Sequence, residues 1–518
     1  MRLTRDRIAA PFALAAFACL LLVVGARHEP WFDEAQAWLI AREGSPWFVV
    51  SQGVRFEGTP ALWHLTLWAV QRLGLPYGGL WLVSSTLACG GAAIVLYKAP
   101  FPMLLRIGLI FSYFFAYQYS VVARSYALDL LFIPLLAWLF RFRLERPLLY
   151  LGVLGLVANT NAHSFMLAGV LALEFLWAAR SRLLALDWTL AVPIALYGGL
   201  ALAAMIQAWP PSDINFIIRK PGDNPLLHAV VLFTEAFVDR GDVWSTAAPN
   251  DLWRIAGGVL TALILIPAAL LWRKAGRLIL AVGLFGGLVG FSALKYGNYW
   301  HAGIIFLTFV FCLWISWSSV ERLEIRFRRW LTAALAVLVI FQIWCAAVAS
   351  VRDALTPYSA APAAARAMLA RRAARDPAGP VETLGVAGFK GFAIQPYFAG
   401  NVFTSYEHGV AKPAYYLWRR SESPIPGLSE AQWRAVLAGR YDRMLLSTFH
   451  VMGFNGPARY IADARAAGYC PTEFYPGALI WKTYELESDD LMIFDRCKPQ
   501  RERPATAPGR ARNAGHTP

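Results

Sequence analysis

"RKAGRLILAVGLFGGLVGFSALKYGNYWHAG", residues 273–303, holds the plan of the chain in one stretch. It opens on basic residues, runs apolar over 277–294, and closes on Lys295, Tyr296, Tyr299 and His301. A helix rises about 1.5 Å per residue, so roughly 20 apolar residues cross about 30 Å of hydrocarbon. Gly283, Gly287 and Gly290 let a neighbouring helix pack closely. The run is therefore read as a membrane span with a basic end and a polar, aromatic end.

The same unit recurs along the chain. With 58% hydrophobic and 16% charged residues in 518, there is too little polar surface for a soluble globule. About eleven apolar runs of spanning length lie near 8–26, 77–97, 103–121, 125–140, 148–162, 163–179, 188–209, 253–272, 277–294, 301–320 and 330–350. They predict an all-α polytopic membrane protein.

The formal charge of +15 invites a nucleic-acid partner, but its placement argues against one. Arginines gather in alternate short loops: "RLTRDR" (2–7), "RFRLER" (141–146), "RSR" (180–182), "RKAGR" (273–277) and "ERLEIRFRR" (321–329). Basic loops held on the cytoplasmic side orient inserted helices, so the N-terminus is expected inside and every second loop outside. No basic stripe with interleaved aromatics suggests a nucleic-acid groove. The first run is longer than a signal core and is read as a retained anchor, with 28–76 facing outward.

Composition divides the chain into a membrane module, 1–350, a soluble outer domain, 351–498, and a Pro- and Arg-rich tail, 499–518, expected to be disordered. Strands are predicted at 381–388, 441–449, 477–486 and 491–495, and helices at 429–440, with Ser429 and Gln432 as a capping box, and 457–469. The outer domain is thus expected to be a small α/β unit. Cys470 and Cys497 fall in it, on the oxidising side, and are expected to form a disulfide; Cys19, Cys89, Cys312 and Cys345 lie in apolar runs as small core residues.

In the outward segment, 33–43 and 59–74 read as helices lying on the membrane surface, with Trp31, Trp38, Trp47, Trp63 and Trp68 at headgroup level. Residues 210–252 read as a cover over a site.

Candidate chemistry gathers at the outer face. Asp33 with Gln36 fits a helix-capping pattern, but Glu34 beside it and Glu57 in "RFEGTP" give three carboxylates at one surface. A carboxylate there can take the proton of an attacking hydroxyl as a sugar leaves its phosphate. In "VVARSYALDLLF" (121–132), Arg124 ends a span, where a guanidinium suits a phosphate, and Asp129 sits further in, either functional or hydrogen-bonded to a neighbouring helix.

In order and sidedness these residues resemble the lipid-linked sugar transferases of the GT-C fold, the protein O-mannosyltransferase-like group that includes the aminoarabinose transferase of lipid A. The likeness rests on Asp33-Glu34-Ala35, Phe56-Glu57-Gly58-Thr59-Pro60, Ala123-Arg124-Ser125-Tyr126 and Ser292 through Tyr299. It implies a GT-C-like membrane module and a polyprenyl-phosphate-linked sugar donor. It also implies transfer on the outer face to a lipid, glycan or protein acceptor, with Asp33 as catalytic base. Glu34 and Glu57 would orient the acceptor or hold a metal, and Arg124, Lys295, Tyr126, Tyr299 and His301 would bind substrate and phosphate. Gly58 stands where that family often has a phosphate-contacting lysine, and the late motif lacks its usual prolines. By analogy with some relatives, a divalent metal would be held by Glu57 with His64, His163 or His301. No Asp-x-Asp is present, as expected of a lipid rather than a nucleotide donor. The bacterial inner membrane follows from the same likeness. The rival expectations are a transporter or flippase, with charged groups near the bilayer midplane, and a non-catalytic scaffold of polysaccharide assembly.

Overall fold

The computed structural model describes residues 2–214, 224–238, 251–374, 382–406, 413–419, 430–447, 457–481 and 484–497. In chain order the first helices are α1 (Arg2–Gly25), α2 (Phe32–Glu43), α3 (Pro46–Phe48), α4 (Leu62–Arg72), α5 (Leu80–Lys98), α6 (Met103–Ile110), α7 (Tyr126–Leu139) and α8 (Pro147–Ala158). They are followed by α9 (Ala162–Ala178), α10 (Arg180–Leu184), α11 (Ala191–Ala208), α12 (Pro225–Glu235), α13 (Asp251–Lys274), α14 (Leu278–Leu294), α15 (Ala302–Ser316) and α16 (Ile325–Leu355).

Among the described residues, six helical stretches are long and apolar enough to cross a membrane: Ile8–Gly25, Tyr77–Lys98, Trp188–Ala208, Ile255–Lys274, Tyr299–Arg322 and Ile325–Leu355. Large apolar side chains such as Ile255, Val282, Ile340 and Trp344 point out of the bundle, as expected of helices bathed in lipid. These features fit a multi-pass membrane protein. The expectation of about eleven spans is met only in part, because the other apolar runs form shorter helices. The 103–121 run breaks after α6, passing through a wide turn at Phe114–Gln118 that is wholly buried. The 148–179 pair breaks at Asn159-Thr160-Asn161, where Asn161 caps α9 by accepting from the Ser164 N–H at 2.9 Å.

Pro134 lacks the N–H that would bond the Leu130 carbonyl, so α7 carries a freed acceptor in its middle. Against that carbonyl lies Gly91 of α5, where any Cβ would overlap the Leu130 oxygen. Only glycine lets the two helices approach so closely.

Beyond α16 come α17 (Ala361–Ala373), β1 (Leu384–Ala387), α18 (Glu430–Ala438), β2 (Arg443–Ser447), α19 (Pro457–Ala466), β3 (Tyr469–Tyr475), β4 (Ala478–Trp481), β5 (Tyr484–Ser488) and β6 (Leu491–Arg496). A mixed sheet runs in the order β1-β2-β6-β3, with β1 parallel to β2 and the other pairs antiparallel. Strand alternation splits its faces: Met444, Leu446 and Phe494 pack with Trp433 and Tyr460 of the helices, whereas Leu445 and Ile493 join the core of the bundle.

Two sequence expectations change here. The 477–486 strand is two, β4 and β5, paired antiparallel, and β3 was not expected at all. Cys470 of β3 is bonded to Cys497. Ser429, the tail 499–518, and residues 215–223 and 239–250 of the expected cover lie outside the described residues.

The tryptophan expectation is also revised. Trp47 is exposed, but Trp31, Trp38 and Trp63 are buried, because α2 packs against α4 and against Phe389–Tyr397 of the outer domain. Tyr77 and Tyr397 meet edge to face at 5.1 Å, with Trp38 against Tyr77.

Candidate active site

Asp33 lies in the first turn of α2 and Arg124 just before α7, and the fold joins them: Arg124 Nη2 donates to Asp33 Oδ2 at 2.8 Å. The guanidinium stands over the rings of Trp300, Tyr126 and Trp31, at 5.0, 5.3 and 5.8 Å. Burial alone would lower its pKa, but the nearby charges, Asp33 foremost, leave it raised. Arg124 therefore stays charged and held in place. It lines a small, open cleft together with Trp31, Gln118, Val122, Tyr299, Trp300, Tyr358, Leu479 and Ile480. The last three come from the chain beyond α16, so the outer domain completes the wall.

Glu34 takes the role first considered for Asp33. Its Oε2 accepts from the Trp31 N–H at 3.2 Å, closing the start of α2. Its Oε1 accepts from the Ala123 N–H at 2.6 Å. One carboxylate thus holds the chain next to both members of the Asp33–Arg124 pair. Glu34 is fully buried, so its placement suits positioning and not contact with a substrate.

Behind Glu34 stands His28, which the sequence did not single out. Its Nε2 faces Glu34 Oε2 at 3.0 Å and its Nδ1 faces Asp353 Oδ2 at 2.8 Å. Tyr117 also donates to that Asp353 oxygen, at 3.0 Å. A neutral imidazole offers one N–H, so two facing carboxylates favour the doubly protonated ring. Burial would lower the pKa of His28, but Asp353 and Glu34 overcome it and hold it at about 10.

Glu57 is partly buried and accepts from Gln36 Nε2 at 2.9 Å. Burial pushes its pKa up to about 8, with Asp33 adding to the shift and the Gln36 bond and Arg124 opposing it. Gln36 also grips the backbone of Tyr416, donating to its carbonyl at 2.7 Å and accepting from its N–H at 2.9 Å. The amide therefore ties Glu57 to the outer domain.

Around the pair, Tyr126 stacks on Tyr119 at 4.9 Å and meets His301 edge on at 5.8 Å. His301 stacks on His163 at 4.0 Å, and its Nδ1 accepts from the Asn298 N–H at 2.7 Å. Lys295 is exposed at the end of α14 and does not line the cleft. Asp129 is saturated by Thr160 (2.8 Å), Asn161 (2.6 Å) and Ser164 (2.9 Å), so it fastens α7 to the α8–α9 break.

His64 is buried with no hydrogen-bond partner on either ring nitrogen, and burial lowers its pKa to about 4. Among the described residues, however, no three His, Cys, Asp or Glu side chains come together as metal ligands. Glu57, His64, His163 and His301 fall in no such group.

Asp33, Glu57, Arg124, Tyr126, Tyr299 and His301 are thus gathered at one end of the bundle, while Glu34 supports them and Lys295 stands apart. His28 and Asp353 were missed, and Gln36 was read only as a capping partner of Asp33; the one signal for Asp353 was a lone carboxylate in a long, largely apolar helix. Compared with known protein families, with curated proteins and with solved structures, the chain matches none.

Proposed function

We propose that the protein is an inverting glycosyltransferase of the bacterial inner membrane, moving a sugar from a polyprenyl phosphate to a hydroxyl of an envelope acceptor on the outer face. The observation that carries this is the Asp33–Arg124 ion pair, whose guanidinium lines an aromatic-walled cleft, so that a carboxylate base stands one hydrogen bond from a cation suited to phosphate. A donor phosphate entering the cleft competes for the Arg124 guanidinium and releases the Asp33 carboxylate. The acceptor oxygen then bonds to the anomeric carbon as the bond from that carbon to the phosphate oxygen breaks. The acceptor proton passes to Asp33 and the lipid phosphate leaves with Arg124. Trp31, Tyr299 and Trp300 offer ring faces to the sugar and keep water out, and Glu57, neutral up to about pH 8, can donate to a sugar hydroxyl.

A transporter is the second reading, supported by the broken, buried α6–α7 connection. Against it, Asp129, the carboxylate deepest in a helix among those considered, has its hydrogen bonds filled from one neighbour.

The test is sugar release from a panel of radiolabelled polyprenyl-phosphate sugars by purified protein, wild type against Asp33→Asn. Turnover of one donor, lost at least about a hundredfold in the variant, is expected. Equal turnover in both returns Asp33 to a structural role. No turnover of any donor, even with envelope extract as acceptor, moves the assignment to transport or scaffolding.

A further inference from the structure

At the far ends of α7 and α14 from the cleft lies a second cluster of charge. Arg143 grips Glu174 of α9 with two bonds, Nε to Oε2 at 3.0 Å and Nη2 to Oε1 at 2.8 Å. Arg277 Nη1 reaches the same Oε1 at 3.3 Å. Both guanidinium carbons lie over the ring of Phe140, at 4.1 and 5.0 Å. Two cations therefore share one carboxylate, leaving the group with one excess positive charge. Tyr150 is packed within electrostatic reach of all three, and its buried hydroxyl has no hydrogen-bond partner.

The cluster sits where lipid headgroups would lie. On α9, Leu173 and Trp177 are exposed, the latter 70%, and on α14 so are Ile279, 90% exposed, and Val282. Arg180 is exposed over the face of Trp177 at 4.6 Å, and Arg146 is exposed beside the cluster. Gly283 and Gly287 of α14 face Val170 of α9, so these apolar side chains flank the seam between the two helices. An anion with acyl chains matches this pairing of excess cation and bare apolar surface. A zwitterionic phospholipid carries its own cation and leaves the excess charge unanswered.

We propose that Arg143 and Arg277, with Tyr150 behind them, bind the phosphate of an anionic phospholipid whose acyl chains lie along Leu173, Trp177, Ile279 and Val282. The site is independent of the cleft and of the activity proposed for it.

The test is native mass spectrometry of the full-length protein in detergent, titrated with phosphatidylglycerol or phosphatidylcholine. Wild type is expected to retain phosphatidylglycerol in preference. Arg277→Gln leaves the two-bonded Arg143–Glu174 pair intact and is expected to weaken that preference about fivefold. Glu174→Gln frees both guanidinium groups and is expected to strengthen it. Opposite shifts separate binding from misfolding, which would lower both. Equal retention of the two lipids by wild type, or no change in Arg277→Gln, overturns the proposal. Displacement of the lipid by millimolar inorganic phosphate overturns it in favour of a soluble phosphoanion.

Discussion

Glu34 and His28 show how much of a site lies behind the residues that face it. Asp33 and Arg124 stood out in the sequence, and their charge beside apolar runs was legible there. Their pairing was not, since it depends on Glu34 reaching the N–H next to Arg124 from across the fold. His28 and Asp353 were invisible, and Gln36 was seen only as a capping residue, because burial, which gives them meaning, leaves no mark on a single residue. Two titrations follow. Glu57 has a folded pKa of about 8 against an ordinary 4.5, so the native state holds its proton longer and stability falls as pH rises between those values. His28, at about 10 against 6.5, contributes stability that is fully present below pH 6.5 and lost as pH rises towards 10. Melting temperatures in detergent should therefore drop from pH 7 to 10. Glu57→Gln should flatten the lower part of that fall and His28→Gln the upper. Parallel curves for wild type and both variants would show that neither proton is held as described.

At the scale of elements, hydropathy located most of the apolar helices but not their lengths, because a run of apolar residues does not record where the chain turns while still buried. It missed α12, which lies within the expected cover, and α17. The α6 break is such a place: its residues are apolar enough for a span, yet the backbone departs from the helix among neighbours that shield it. The strand β3 was missed for a related reason, since Pro471, Thr472 and Glu473 do not read as a strand until β6 pairs with them. Pro134 and Gly91 carry no mark in the sequence that joins them, yet they form one contact between α7 and α5. Gly91→Ala should force the helices apart and cost about 1–3 kcal/mol, seen as a lowered midpoint of thermal unfolding. Gly286→Ala, where a Cβ meets open space, is the matched control and should be nearly neutral.

At the scale of the molecule, the membrane bundle and the outer domain share one hydrophobic core, and Leu479 and Ile480 of β4 belong both to that core and to the cleft. Composition revealed the change from one region to the other but not that the second is built into the first. The Cys470–Cys497 bond, 27 residues apart in sequence, ties β3 to the end of β6. Removing it with a Cys470→Ser, Cys497→Ser pair should cost about 3 kcal/mol from loop entropy and loosen the cleft wall as well. Limited proteolysis should then cut the outer region first. One more feature reaches further than its local role. Helix α16 has 31 residues, about 46 Å of rod, against about 30 Å of hydrocarbon, and Asp353 is near its C-terminal end. A rod longer than its medium leans as that medium thins, and the tip that leans is the one bonded to His28. Bilayer thickness is thereby expected to reach the Asp33–Arg124 pair through His28 and Glu34, and the proposed turnover in nanodiscs of graded acyl length should pass through an optimum.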